Sequence, residues 1–573
     1  MRPTNALRAA QLQARPGAAA LDGGDMGSAR STRHSFARSF LRAASRERWE
    51  LTRRLFNVDA AGCGDIVYVI DAAGRRFSFI AFSTKIDEAQ RTDRVIADSW
   101  DVTAALIEGE VSAQRLEDLR ANVPAQEAGR ADTGTLVWTR ANRSARFFDY
   151  VVERLASGKQ PESSTVGDAA YVMRSTAFYA NGKWGLADFE RYTADHPLAL
   201  PYRAQMLAAW LLRELSYDLV EHCAKQRSER AVPLDAQWRR FFGLGNATGL
   251  GMVPYVINHP QVLDAWVALR ELPLAHALAQ QGPPTAAHVD RVVELLERAV
   301  NHFAERDTLP TAPYAAGPEL AAQLTFVLRL AEEYGAAGTF AGEPVAEFAR
   351  ALHRAGAGLG AEVRQVVDSV LIECHDELDD DIELLLRCDE SPDPTLAQTT
   401  GTLLERLQAD YAWVHQIDLD GQGSRHFFWY TSQNSQEPRR GVRGRDEGEA
   451  VEQPLAIAFA VRELMADLAV APPAMTLAEF LVGHPWHRGT VERTQGLAGV
   501  PYGEARVNPV SVNFLPLDLQ RFQLATYGME NFSPMSTDWL RVTLFGGAPR
   551  AADVATGLDD DWMFSRKPDG TCA

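Results

Sequence analysis

Residues 64–82, GDIVYVIDAAGRRFSFIAF, hold two apolar runs on either side of Asp71-Ala72-Ala73-Gly74. β-branched and aromatic residues fill both runs, and Gly74 can adopt positive φ, so the stretch predicts a β-hairpin. An isolated two-stranded ribbon is marginal in water, so the hairpin needs partners. Where those partners lie decides the fold. Upstream, a helix is expected from about Ser35 to Phe56. Downstream, ADSWDVTAALIEGE (97–110), SAQRLEDLRANVP (112–124) and SARFFDYVVERLASGK (144–159) carry helical spacing, with TLVWT (135–139) a short strand between them.

From Pro201 the helical period dominates, beginning with YRAQMLAAWLLRELSYDLVEHC (202–223) and continuing through 286–305, 318–335, 344–356 and 402–416. Short Gly/Pro connectors separate these segments. Beyond Asp418 the texture is mixed. SRHFFWYTS (424–432), RVNPVSVNF (506–514) and DWLRVTLF (538–545) read as strands, and residues 452–469 read as a helix. The expected fold class is therefore α+β, predominantly α-helical, with a helical central body and small antiparallel β elements near the N- and C-termini. The C-terminal strands are candidate partners for the hairpin. Four regions follow: a disordered basic leader (1–34), a small α+β unit with the hairpin (35–195), an α-helical body (196–417) and a mixed α+β C-terminal unit (418–573).

At 46% apolar and 23% charged residues the chain has an ordinary globular composition. Its net charge is −18, although the first 48 residues carry nine arginines against three acids. An acidic remainder repels phosphate backbones, which argues against nucleic acid as the main partner. No run approaches the ~18 apolar residues of a membrane span, so no membrane partner is expected and the cytoplasm is the default location. Self-association to a homo-oligomer is allowed at this size. Five scattered cysteines form no CxxC pair, and neither His484/His487 nor ECHDELDDDIE (373–383) supplies a complete ligand set, so no metal and no cofactor are expected.

GLGNATGLGMVPYVINHP (243–260) tests two phosphate-binding motifs and fails both. The spacing is G-x-G-x-x-x-G, no buried strand is evident before it, and no Gly-Lys-Ser/Thr follows. What remains is a glycine-rich helix start near Gly249, capped by Asn246 or Thr248, whose free N–H groups would face an anion. Two further clusters suit anion binding. Arg174, Asn181 and Lys183 surround an Asn-Gly turn, and Arg439 and Arg440 follow an expected strand in EPRRG (437–441). For proton transfer the candidates are Glu504, Tyr502 and Glu530.

Together these features suggest a metabolic enzyme, hydrolase or lyase, acting on a carboxylate- or phosphate-bearing small molecule by acid–base chemistry. The alternatives are a non-catalytic helical interaction or regulatory protein, and a divergent kinase-like phosphotransferase using Lys85 and the HQIDLDG stretch (415–421).

Overall fold

The computed structural model describes residues 4–15, 26–87, 99–124, 135–167, 170–180, 195–249, 260–306, 317–336, 344–385, 396–415, 428–432, 438–439, 449–454, 457–484, 487, 490–491, 494–495, 516–534, 539–557 and 561–568. Glu50–Val58 (β1), Gly64–Ala72 (β2) and Arg75–Ser83 (β3) pair in antiparallel succession. Ala73 and Gly74 join β2 to β3 with φ of 48° and 78°, the two consecutive left-handed residues of a type I′ turn. The hairpin's partners are Val102–Glu108 (β4), Val137–Arg143 (β5), Tyr171–Ala180 (β6) and Gly243–Gly249 (β7). Phe428–Ser432 (β8), Pro438–Arg439 (β9) and Glu449–Pro454 (β10) form a separate three-stranded sheet. Met529–Pro534 (β11) and Trp539–Leu544 (β12) return to the first sheet, whose order is β1-β2-β3-β4-β5-β6-β7-β12-β11. Of its pairings, β6–β7 is parallel and the others are antiparallel.

This corrects the expected fold class. Nine of the twelve strands described are not small antiparallel elements near the two termini but one mixed sheet, with β7, from the middle of the sequence, in its interior. The reason is burial on both faces, which erases alternation. All seven residues of β5 are buried, including Arg140, Asn142 and Arg143. Six of the seven in β4 (VTAALIE) are buried, and their alanines imitate a helix. The helix expected to reach Phe56 stops at Arg46, and Arg48, at φ 54°, turns the chain into β1.

Helices cover the sheet. Asn5–Gln13 (α1), Phe36–Arg46 (α2) and Arg203–Arg227 (α3) contribute to the main core, as do the short Ala236–Phe241 (α4) and Pro260–Ala277 (α5). Ile66, Tyr68, Ile70, Phe77, Phe79, Ala104 and Leu106 face this layer, while Val67, Ile80, Phe82 and Ile107 face the opposite one, which holds Leu119 of the 113–121 helix. Each fully buried Phe contributes roughly 1.5–3 kcal/mol. A second core lies among Ala286–Ala304 (α6), Gly317–Ala336 (α7), Val345–Leu359 (α8) and Ala361–Glu373 (α9). Asp379–Leu385 (α10) and Ala551–Thr556 (α11) complete the helices used below.

The basic N-terminal stretch and the acidic 362–383 stretch satisfy each other. Arg30 pairs with Glu362 at 3.3 Å, Arg33 and Arg42 pair with Asp379 at 2.8 and 3.2 Å, and Arg38 pairs with Glu373. Arg15 grips Glu271 with two hydrogen bonds, 2.8 and 2.7 Å long. Leu7 and Ala10 of α1 are buried in the main core. Among the described residues no helix is long and apolar enough to cross a membrane.

The glycines of β7 allow close approach. A Cβ on Gly245 would stand 2.5 Å from the Tyr171 ring, and one on Gly243 would collide with the Leu544 carbonyl oxygen and lie 2.8 Å from the Gly546 nitrogen. Gly243→Val is therefore expected to cost ~1–3 kcal/mol by forcing β7 from β12. Urea unfolding measures it, and a loss below ~0.5 kcal/mol would show that the strands are not this closely packed.

Candidate functional site

The structure corrects the glycine-rich segment first. Asn246, Thr248 and Gly249 do not start a helix. They lie in β7, with Asn246 opposite Val542, Thr248 opposite Leu540 and Gly249 opposite Trp539. Their backbone groups serve a ladder, so no dipole-bearing helix end exists at Gly249 to hold an anion. Arg174 is buried in β6 and pairs in register with Gly245, beside Ser175 and Asn246, so two segments that read as separate loops form one parallel ladder. Arg439 lies in β9 and Glu530 in β11, where only their backbone is described. Asn181, Lys183, Arg440, Tyr502 and Glu504 lie outside the described residues, as does most of HQIDLDG. Lys85 is exposed beyond β3.

A different site is built on α3. This helix is buried almost all round from Arg203 to Tyr217, which is why it reads as strongly apolar. Toward its C-terminus it emerges, and Glu214, Asp218, Glu221, His222 and Lys225, at i, i+4, i+7, i+8 and i+11, share one stripe. That stripe forms the floor of a cleft of about 580 Å³. Leu51, Arg53 and Phe56 of β1 and Tyr68 of β2 make one wall, and Arg239 with Arg550, Ala551 and Ala552 make the other. The volume lies within the ~300–1,000 Å³ of small-molecule sites.

The groups in the cleft are held firmly. Tyr68 Oη donates to Asp218 Oδ2 at 2.7 Å, and Arg53 Nη1 lies 3.1 Å from the same oxygen. Arg53 also stacks 4.7 Å from the Phe56 ring centre, and Phe56 meets His222 edge-on at 5.4 Å. His222 Nε2 is 2.8 Å from the Asp59 carbonyl. Glu221 Oε1 accepts from Arg239 Nη2 at 2.6 Å and from the Leu234 amide at 2.9 Å. Arg550 is clamped by Asp553. Among the described residues Lys225 forms no ion pair, and it stands exposed at the cleft's edge.

Electrostatics separate the carboxylates by role. Burial pushes the Glu214 carboxyl above its ordinary value, outweighing the nearby Arg213 and Arg239. Burial likewise raises Tyr68 well above the usual phenol range, so it remains a neutral donor to Asp218. The cleft thus offers a carboxyl of raised proton affinity one helical turn from a hydrogen-bonded carboxylate, with four cations around them. Pairs of acids in contrasting environments are a means of placing a proton donor beside an acceptor. Among the described residues no three His, Cys, Asp or Glu side chains are arranged to hold a metal ion.

Sequence reasoning passed over this stripe because Arg213–Lys225 reads as the tail of an amphipathic helix, and charged residues there suit a solvated face. The available signal was the dense alternation of acid and base at helical spacing directly after the apolar run MLAAWLL (206–212). No family model matches the chain, and neither a curated protein nor a solved structure matches it.

Proposed function

We propose that the α3 cleft binds a carboxylate- or phosphate-bearing small molecule and acts on it by acid–base chemistry, as a hydrolase or lyase does. Glu214 gives a proton and Asp218 receives one. The observation that carries this reading is the buried Glu214, its proton affinity raised, one turn from Asp218 in a cleft lined by Arg53, Lys225, Arg239 and Arg550. The four cations share the cleft with Glu214, Asp218 and Glu221, and Arg53, Arg239 and Arg550 already pair with acids, so an anionic ligand would draw on their remaining donors and on Lys225. Arg53 and Arg239 present planar forks suited to carboxylate or phosphate oxygens, and Lys225 is the cleft cation that forms no ion pair among the described residues.

A thermal-shift panel of dicarboxylates, phosphate monoesters, nucleotides and acyl-CoA compounds tests the reading. A ligand present at ~100 times its Kd stabilises the folded state by ~2.7 kcal/mol. The Arg53→Ala, Lys225→Ala double variant is expected to bind that ligand ~1.5–3 kcal/mol more weakly. Both residues are half-exposed or exposed, so the melting temperature without ligand should scarcely move. An unchanged ligand response in the double variant would remove the cleft as the binding site.

A further inference from the structure

The two cores meet at a cluster of histidines. His276 lies near the end of α5, between Leu272 of the main core and Ala277 of the second core. His375 follows α9, between Leu371 of the second core and Leu378 of the main core. His288, in the first turn of α6, completes the group. The His288 and His375 rings are 5.0 Å apart, and the His276 and His375 rings 6.1 Å. The Nε2 atoms of His288 and His375 are buried without a hydrogen-bond partner, and that of His276 is buried facing Glu377. Glu377 Oε2 is 3.5 Å from His276 Nε2 and 3.8 Å from His375 Nδ1, while its Oε1 accepts from Gln280 at 2.6 Å.

We propose that His276, His288 and His375 form an acid-sensitive latch between the sheet core and the helix-bundle core, closed while His288 and His375 are neutral and opened when those two take up protons. Apart from Glu377, the surroundings disfavour charge. Phe348 of α8 faces His288 with an apolar ring, and the N-terminus of α6 presents the positive end of its dipole. Arg33, from the N-terminal segment, adds a cation near His375. Glu377 is the acid in contact with the cluster, and its one charge meets three imidazoles. Burial and the neighbouring His288 push His375 down to about 4, and burial lowers His288.

Once the seam opens, water solvates the rings, and the proton affinity of His288 and His375 returns to the ordinary ~6.5. A histidine whose folded pKa is depressed weakens the closed form as pH falls below the solvated value, and the effect is complete only below the folded one. Between pH 7 and pH 5, His375 alone should raise the opening constant roughly 20-fold.

Hydrogen–deuterium exchange at pH 7 and pH 5, corrected for intrinsic rates, tests the latch on the unmodified chain. Amides in 272–278, 286–290 and 371–378 should lose ~10-fold or more protection beyond any change in β2–β5. Uniform loss, or none in these segments, overturns the proposal. His375→Phe should flatten the local response, and His288→Gln serves the same purpose if the first variant folds poorly; a response undiminished in a folded variant also overturns it. So does zinc-induced stabilisation that EDTA reverses and His288→Gln abolishes, because the cluster would then be a metal site.

Discussion

Replacing Arg213 by methionine is expected to remove ~3–5 kcal/mol of stability, the largest effect of any single change considered. The Arg213 side chain is fully buried in α3. Its guanidinium donates to the carbonyls of Phe242 at 3.0 Å, Arg239 at 2.8 Å, Arg240 at 3.3 Å, Ala548 at 2.9 Å and Pro549 at 3.0 Å. One side chain thus ties the long helix to the chain entering β7 and to the chain leaving β12. Tyr217 Oη also donates to the Phe242 carbonyl at 2.5 Å, and the Gly547 amide to the Arg240 carbonyl at 2.6 Å, so those two acceptors keep a donor. The Arg239 and Ala548 carbonyls lose theirs, the Pro549 carbonyl keeps only the long 3.5 Å bond from Trp210 Nε1, and each buried unsatisfied acceptor costs ~1–3 kcal/mol. Glu214, 3.2 Å away, also loses its adjacent cation. Lysine should rescue little, since a point charge cannot reach carbonyls spread around a planar fork. Urea unfolding of the methionine variant is the measurement, and a loss under ~1 kcal/mol would show that the β7–β12 junction is held by other means.

Glu214→Gln is expected to lower turnover of the ligand that the thermal panel selects by ~10²–10⁴-fold, the range for losing a positioned general acid. Binding should change little, because glutamine keeps the shape and the cations are untouched. The same substitution separates stability from activity by pH. A carboxyl whose folded pKa is raised holds its proton more tightly in the folded chain than in the unfolded one, so its contribution falls as pH rises from the ordinary 4.5 through the folded value. Glutamine carries no such penalty, and the variant should equal or exceed the parent in stability at pH 8. The parent's rate should decline as pH rises through the Glu214 pKa, since the protonated form is the reactive one. Undiminished turnover in Glu214→Gln would exclude Glu214 as the proton donor.

The parts of the fold that were legible carry a local turn signal or a single buried stripe. The β2–β3 hairpin has Ala-Gly at its turn and apolar runs on both sides, and the helices at 148–156, 286–304 and 345–359 have one buried stripe each. The illegible parts have two buried faces or none. The strand read at 135–139 is the start of β5, whose further run to Arg143 was missed because Arg140 is hidden between Trp100 and Trp138, 3.9 and 4.7 Å from their ring centres. β7 is glycine-rich because Tyr171 and β12 press on its backbone, and nothing in GLGNATG alone distinguishes that from a ligand loop. The site was hidden for a related reason. Asp218, Glu221 and Lys225 look like a solvated helix end until β1 and the 550–552 segment, distant in sequence, are folded over them. The expected anion sites relied on local spacing, and of those residues Arg174 and Asn246 are brought together, through the parallel β6–β7 ladder rather than a loop.

The most direct test of the account is a crystal structure of the protein grown with the stabilising acid at saturating concentration. The account expects the ligand's anionic group between Arg53 and Lys225, with another of its oxygens or its leaving atom within ~2.6–3.2 Å of the Glu214 carboxyl. A ligand bound anywhere else, with the α3 cleft holding only water, would contradict it.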